Sequence, residues 1–294
     1  MEAEPRPAVG QANVTAMWPD VALRERFRID VSAASGLAVR DGVAHVIADD
    51  GERLRRYRLD GDRLPDVPAA DGPEAPIAKP AKPDFEALLD LPDGRIIAFG
   101  SGSRSNRERA LLFDPRRGLA RPLDLAPLYA RLRAELGAIN IEGAVRFGEH
   151  WVLGHRGLGR SPSALVWLDG TAALPTGAAT LSAAAVRSIS AVALPDLDGV
   201  PLALTDLARH PTIGLHFLAA AEATDDPYED APCAGSVIGH FDAALRPESI
   251  ARLRPDLKAE GLAWWQPDDG PGRWLVVADA DDGAIPSSLF ELFP

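Results

Sequence analysis

A short pattern returns along this chain at intervals near fifty residues: an acidic or hydroxyl residue, then a small one, then apolar ones. It stands at Ser35-Gly36-Leu37-Ala38, Glu86-Ala87-Leu88-Leu89, Glu142-Gly143-Ala144-Val145 and Glu260-Gly261-Leu262-Ala263. A period of this size marks an architecture of repeated units rather than one continuous fold. Each copy opens a strand-like run, and a second apolar run follows: His45 to Asp50, Arg95 to Ser101, His150 to His155 and Arg273 to Asp279. Third runs cover Arg55 to Asp60, Ala110 to Asp114, Ala164 to Asp169 and Ser288 to Phe293.

The gap from position 142 to 260 is 118 residues, about twice the 51 and 56 that separate the earlier openings, so one more unit belongs inside it. Thr205-Asp206-Leu207-Ala208 is the best opening, with Leu215 to Glu222, Gly235 to Asp242 and Ser249 to Leu253 after it. A rival register opening at Ser188-Ile189-Ser190, counted at Ser190, leaves intervals of 48 and 70, less even than 63 and 55. Five units of short strands fit an all-β propeller whose blades stack around a channel, with six blades as the alternative. The last unit stops after its third strand, and Arg26 to Asp30 can supply the missing outer strand and close the ring, which removes free sheet edges. Gly and Pro, 26 each, punctuate the chain as such a fold requires.

Two connections depart from plain meanders. Asp124 precedes apolar residues at helical spacing, Leu125, Leu128, Tyr129, Leu132 and Leu136, before Gly137, which predicts one short inserted helix and a partial lid. The stretch Pro65 to Pro83 reads as an extended, irregular connection, and residues 1–18 as a mobile lead into a single domain spanning 19–294.

Thirty-one basic against forty-three acidic side chains leave a net charge of −12, which opposes attraction to nucleic acid or anionic membrane. Cys233 is the single cysteine, so neither an internal disulfide nor a thiolate metal site is available. No basic and apolar leader opens the sequence, and a cytoplasmic location is the expectation. The nucleophile elbow, the zinc-protease helix, the P-loop and the dinucleotide glycine fingerprint are all missing.

In a propeller, the entry to each inner strand and the turn after each second strand reach the same channel mouth. The inner positions are Ser35, Glu86, Glu142, Thr205 and Glu260, and the second-strand ends are Asp49, Ser101, His155, Glu222 and Asp279. Lys82, Asp84, Asn140 and Lys258 stand just before inner strands. Glutamates about 6 Å apart at an effective dielectric near 20 repel by about 3 kcal/mol per pair, so something must neutralise them. Two solutions stay open: a bound divalent cation, with oxygen ligands favouring calcium or magnesium, or salt bridges that hold the ring together. Glu86, Glu142 and Glu260 would hold the cation, assisted by Glu222 and Asp279. His155 is the candidate proton shuttle, with Arg104 and Arg156 orienting a small anionic or ester-type substrate. Lys82, Asp84, Asn140, Lys258, Ser101 and Asp49 complete the substrate-facing set. The chain has only three lysines, Lys79, Lys82 and Lys258, and two of them precede these acids, which suggests placed roles such as pairing with Glu86 or Glu260. Arg107, Arg109 and Arg160 read as solvated, the other five histidines as surface or structural, and Trp264 with Trp265 as blade packing.

The segments Asn140-Ile141-Glu142-Gly143, Lys258-Ala259-Glu260-Gly261-Leu262 and Lys82-Pro83-Asp84-Phe85-Glu86-Ala87-Leu88 resemble the openings of bacterial phytase-like or esterase-like propellers. They are also similar to the Glu-Gly-Pro opening of the gluconolactonase/regucalcin family. The sequence departs from that family in lacking the proline and in having five units where the family has six. What the resemblance implies is a metal-dependent hydrolase acting on an ester, lactone or phosphoester, with a metal ligand at Glu86, Glu142 or Glu260. The alternative is a non-catalytic propeller that binds a small molecule or a protein.

Overall fold

The computed structural model describes residues 18–69, 72, 76–157, 161–222, 233–279 and 282–293. Blade 1 is β2 (Ala34–Arg40), β3 (Val43–Ala48), β4 (Arg53–Arg58) and β5 (Arg63–Pro68). Blade 2 is β6 (Phe85–Asp90), β7 (Ile96–Gly100), β8 (Arg109–Asp114) and β9 (Leu119–Asp124), after which α1 (Ala126–Leu136) leads to the next blade. Blade 3 is β10 (Ile141–Phe147), β11 (His150–His155), β12 (Ser163–Asp169) and β13 (Val186–Val192), with the single-turn α2 (Gly170–Ala173) before its last strand. The short β14 (Asp196–Leu197) precedes blade 4, which is β15 (Val200–His210), β16 (Gly214–Glu222), β17 (Cys233–Phe241) and β18 (Pro247–Arg254). Blade 5 is β19 (Lys258–Trp265), β20 (Arg273–Asp279), β21 (Ser288–Phe293) and, as its outer strand, β1 (Asp20–Arg28) from the other end of the chain.

The fold is therefore an all-β propeller, with five blades and the N-terminal strand closing the ring. The fourth unit opens in the first of the two registers, because Ser188 lies in the outer strand of blade 3. β1 also pairs in parallel with β18 over Asp20 to Ala22, so the outer edges of blades 4 and 5 are zipped into one nine-stranded sheet. That protects two edges that would otherwise offer unpaired N–H and C=O groups.

Packing explains why both faces of most strands are apolar. β2, β6, β10, β15 and β19 are successive neighbours around the channel. One apolar cluster fills each of the five gaps between blades, as with Leu54, Phe85 and Phe113 between blades 1 and 2, or Leu218, Leu253 and Val276 between blades 4 and 5. Serines add polar stitches from one blade to the next. Ser163 accepts from Leu204 N at 3.2 Å, Ser236 from Ala259 N at 3.0 Å and Ser287 from Ala34 N at 3.1 Å.

Three expectations change. The helix runs over Ala126–Leu136, and Asp124 accepts from its first N–H at 2.9 Å. It is no lid, because Leu128, Tyr129 and Leu132 are fully buried between blades 2 and 3. The Tyr129 hydroxyl donates to Gly100 O at 2.5 Å, and a Cβ on Gly102, whose φ is +74°, would strike the tyrosine ring. The start of the Pro65 to Pro83 stretch is not irregular but belongs to β5, with Leu54 and Val67 paired across it. The expected closing strand at Arg26 to Asp30 begins earlier, at Asp20. Residues 1–17, the 223–226 part of the second turn of blade 4, and Arg160 lie outside the described residues.

Candidate functional site

Every inner strand carries a bulge at the same place. The register slips between Ala34 and Gly36, Phe85 and Ala87, Ile141 and Gly143, Leu204 and Asp206, and Ala259 and Gly261. The extra residues are Ser35, Glu86, Glu142, Thr205 and Glu260, the five repeat positions read from the sequence. A bulge releases one residue from the ladder and re-aims its side chain, which explains how glutamate is tolerated in a strand. The glycine after it has its own cause: a Cβ on Gly143 would lie 2.9 Å from Leu207 N, and one on Gly261 2.8 Å from Leu37 N. Glu-Gly is thus a bulged side chain followed by a close approach to the next blade. Blades 1 and 4 use hydroxyls instead, with Ser35 donating to Phe85 O at 2.5 Å and Thr205 to Ala259 O at 2.7 Å.

Blade 4 also breaks the pattern after its bulge, placing Asp206 where three blades have glycine. This buried carboxylate accepts from Leu207 N and Leu262 N, both at 2.7 Å, and from the backbone of Ala144. Burial pushes its pKa well up against those N–H groups. It fastens three inner strands.

The residues of the mouth fall into two groups. On blades 1 and 2, the Lys82 ammonium pairs with Asp49 and, at 3.1 Å, with Asp84. Arg107 donates to Asp84 at 2.6 Å and to Ser103 at 2.8 Å, and Ser101 donates to the same carboxylate at 2.5 Å. Glu86 is half-buried, and it has no hydrogen-bond or ion-pair partner among the described residues. One carboxylate oxygen each from Asp49, Asp84 and Glu86 lie within 4.8 Å of one another. Burial, then Asp84, Asp49 and Glu142, push the Glu86 pKa well above the usual carboxylate range.

On blades 3, 4 and 5, Arg156 bridges Glu142 at 3.1 Å and Glu222 at 2.8 Å, and Lys258 bridges Glu222 at 3.3 Å and Glu260 at 3.0 Å. Asn140 Nδ2 donates to Glu142 at 2.6 Å. Burial raises Glu142 to about 8 and Glu260 to about 7, with Arg156 and Lys258 respectively pulling back. Burial acts in the same upward sense on Glu222, but Arg156 and Lys258 hold it below the usual range. Asp279 faces Lys258 across the β19–β20 ladder and adds its field to Glu260.

Several expected roles shift with this geometry. Among the described residues, Glu86, Glu142, Glu260, Glu222 and Asp279 share the mouth but form no single ligand group: Glu142, Glu222 and Glu260 are bound by Arg156 and Lys258, and Glu86 groups instead with Asp49 and Asp84. Lys258 does pair with Glu260, whereas Lys82 pairs with Asp49 and Asp84 rather than with Glu86. His155 is 1% exposed, and its Nδ1 sits against the backbone of Asn140, 3.1 Å from N and 3.2 Å from O. Burial drives its pKa down to about 4, so it is a neutral prop under the rim and not a proton shuttle. Arg104 is exposed, and the buried guanidinium of that turn is Arg107, at 4% exposure. Nothing in Ser103-Arg104-Ser105-Asn106-Arg107 distinguishes the two by pattern. Arg156 is at the mouth but clamped between two glutamates. Trp264 lies at the other end of the channel strands, against His210 and Trp274.

Comparison with solved structures bears on the fold. The chain is similar to regucalcin from Agrobacterium tumefaciens, at 11% identity over 93% of this chain and 95% of that one, with a TM-score of 0.50. It is similar also to the α-L-arabinofuranosidase of Podospora anserina, at 10% identity over 94% and 97% of the two chains, with a TM-score of 0.51. Virginiamycin B lyase from Staphylococcus aureus matches at 12% identity over 92% and 99%, with a TM-score of 0.45. At such identities the likenesses to regucalcin and the arabinofuranosidase concern the fold alone. No curated protein matches the sequence. The family that does match is described as a family of unknown function, DUF6929, and it does so over residues 30–293, so this chain, with its five bulged inner strands and its divided acidic mouth, belongs to the DUF6929 family.

Proposed function

We propose that the mouth binds a divalent cation, calcium or magnesium, between Asp49, Asp84 and Glu86, and hydrolyses a small ester, lactone or phosphoester there. The observation that carries this reading is Glu86, a half-buried carboxylate with no direct ion pair beside two others, on which burial and the neighbouring acids outweigh the field of Lys82. An all-oxygen donor set of three carboxylates suits a hard cation. Such a cation competes with the Lys82 ammonium for Asp49 and Asp84, and displacing that ammonium leaves a mobile positive charge at the rim. A hard cation at this place would polarise a substrate oxygen and acidify a bound water.

The remaining parts are supplied by the chain. Glu142, with a pKa of about 8, exchanges a proton near neutrality and takes over the role expected of His155. Asn140 and Arg156 fix its orientation, and Lys82, once displaced from Asp49 and Asp84, is the cation offered to an anionic substrate. Net charge keeps nucleic acid and anionic lipid outside this proposal.

The test is metal content by elemental analysis of protein purified without chelator, with thermal melting in EDTA and after adding calcium, magnesium or manganese. Stoichiometric metal, and a fall in melting temperature with EDTA that is absent in Glu86→Gln, are the expected results. They would be followed by a screen of esters, lactones and phosphoesters. No metal and no thermal shift with any cation would overturn the reading. One observation favours a second reading, a non-catalytic ligand-binding propeller: Arg156 and Lys258 already neutralise three of the carboxylates. Under it, mouth substitutions change stability and binding but never turnover.

A further inference from the structure

A cavity of about 330 Å³ opens between blades 1 and 5, at the seam where the ring is closed. Four segments wall it: the β1–β2 connection at Asp30 to Ser32, the stretch from Ala48 to Arg55, Pro76 of the β5–β6 connection, and Gly283, Ala284 and Pro286 before β21. Val31, Ala48, Pro76, Ala284 and Pro286 make much of the wall apolar.

Its charged groups differ in how they are engaged. Asp30 is paired with Arg63 at 3.0 Å and accepts from the Tyr57 hydroxyl. Glu52 is paired with Arg109, and Arg55 with Asp66. Arg53 donates to Gly72 O at 3.4 Å and has further contacts. Asp50 stands apart. It is half-buried, and its carboxylate has no ion-pair partner and no hydrogen bond from another residue among the described residues.

We propose that this cavity is a binding site for a small organic ammonium, a primary amine on a compact apolar body, whose charge pairs with Asp50. The volume lies at the low end of small-ligand pockets, which run from about 300 to 1,000 Å³. An inorganic dication is poorly served here, since it seeks six to eight oxygens. An anion would meet the unpaired Asp50, while Arg55 is paired with Asp66 and Arg53 is engaged by Gly72 O and further contacts. Asp50 lines the cavity with no direct partner of its own, and an ammonium seated there would supply one.

Asp49 and Asp50 are consecutive on the β3–β4 turn, one engaged by Lys82 and the other lining the cavity. If the mouth is the hydrolytic site proposed above, its substrate is an amino-bearing ester anchored one residue away. That extension rests on the earlier reading, and the cavity site does not.

The experiment is calorimetric or NMR titration at pH 7.5 with cyclohexylamine, cyclohexanol and cyclohexanecarboxylate as probes. The amine should bind one to one, at least tenfold more tightly than the alcohol or the carboxylate. Asp50→Asn should reduce it to the level of the alcohol. Ala284→Trp, at an exposed turn position, should fill the cavity and abolish binding at an unchanged melting temperature, which keeps the test valid should Asp50→Asn fold poorly. EDTA and Glu86→Gln should leave amine binding unchanged, whatever becomes of the metal. Equal affinity for amine and alcohol, wild-type binding in Ala284→Trp, or loss of binding in Glu86→Gln would each overturn the proposal.

Discussion

The two halves of the channel mouth are built from the same repeat positions and solve the same electrostatic problem differently. On blades 3 to 5, Glu142, Glu222 and Glu260 share Arg156 and Lys258 in an alternating chain, so every one of these carboxylates touches a cation. On blades 1 and 2, Lys82 and Arg107 converge on Asp49 and Asp84, and Glu86 is left over. Paired carboxylates resist the loss of their partners, whereas an unpaired one is a standing cost that a ligand can remove. The first half is therefore expected to behave as structure and the second as a receptor.

The strongest way to break the comparison is Arg156→Met. It leaves Glu142 and Glu222 buried without their shared guanidinium, and removing one partner of a buried pair costs about 3–5 kcal/mol. Chemical denaturation should show a loss of that size, and a loss under 1 kcal/mol would mean the chain of pairs is not structural. Next come two substitutions of the same kind with opposite signs. Glu222→Gln should destabilise by about 1–3 kcal/mol, because Arg156 and Lys258 lose a charged acceptor. Glu86→Gln should stabilise the metal-free protein by up to about 1 kcal/mol, since it removes repulsion and leaves no partner stranded. Shifts of the same sign in both would erase the distinction between the halves.

The smallest effect is in pH. Glu142 and Glu260 have folded pKa values of about 8 and about 7, above the ordinary 4.5, so the folded state binds more protons than the unfolded one between these limits. Their contribution is full below about pH 4.5 and is lost as pH rises through 7 and 8. His155 and His216, depressed to about 4, act in the opposite sense, and their contribution is lost as pH falls from 6.5 through 4. Only the carboxylates are left between pH 6.5 and 8, where stability should decline. Denaturation at those two pH values should show a fall that Glu142→Gln reduces.

The blades were legible because the bulged position carries an acid or a hydroxyl in all five units and the close approach after it favours glycine, and both leave letters in the sequence. The closing strand was legible from the missing fourth strand of the last unit. The site was legible as a set and not as pairs. Lys82 and Lys258 stood out because lysine is rare in this chain, but which acid each meets depends on how neighbouring blades are rotated, and no single strand encodes that. His155 has a mouth position in the repeat, yet its ring turns under the rim to the Asn140 backbone. Arg104 and Arg107 are three residues apart in one polar turn, and their exposures are decided by the tertiary placement of Asp84. The serines that join successive blades carried no signal at all, because Ser163, Ser236 and Ser287 stand in or beside strands with no motif around them.

The repeated slip in the inner strands makes the mouth a set of five interchangeable sockets. Because the slot is defined by backbone register and not by what fills it, Ser35 and Thr205 occupy the same geometry as the three glutamates. The chemistry of this end of the molecule can therefore be respelled one letter at a time while the scaffold stands still, and sequences of this architecture can diverge in what they bind without first diverging in how they fold.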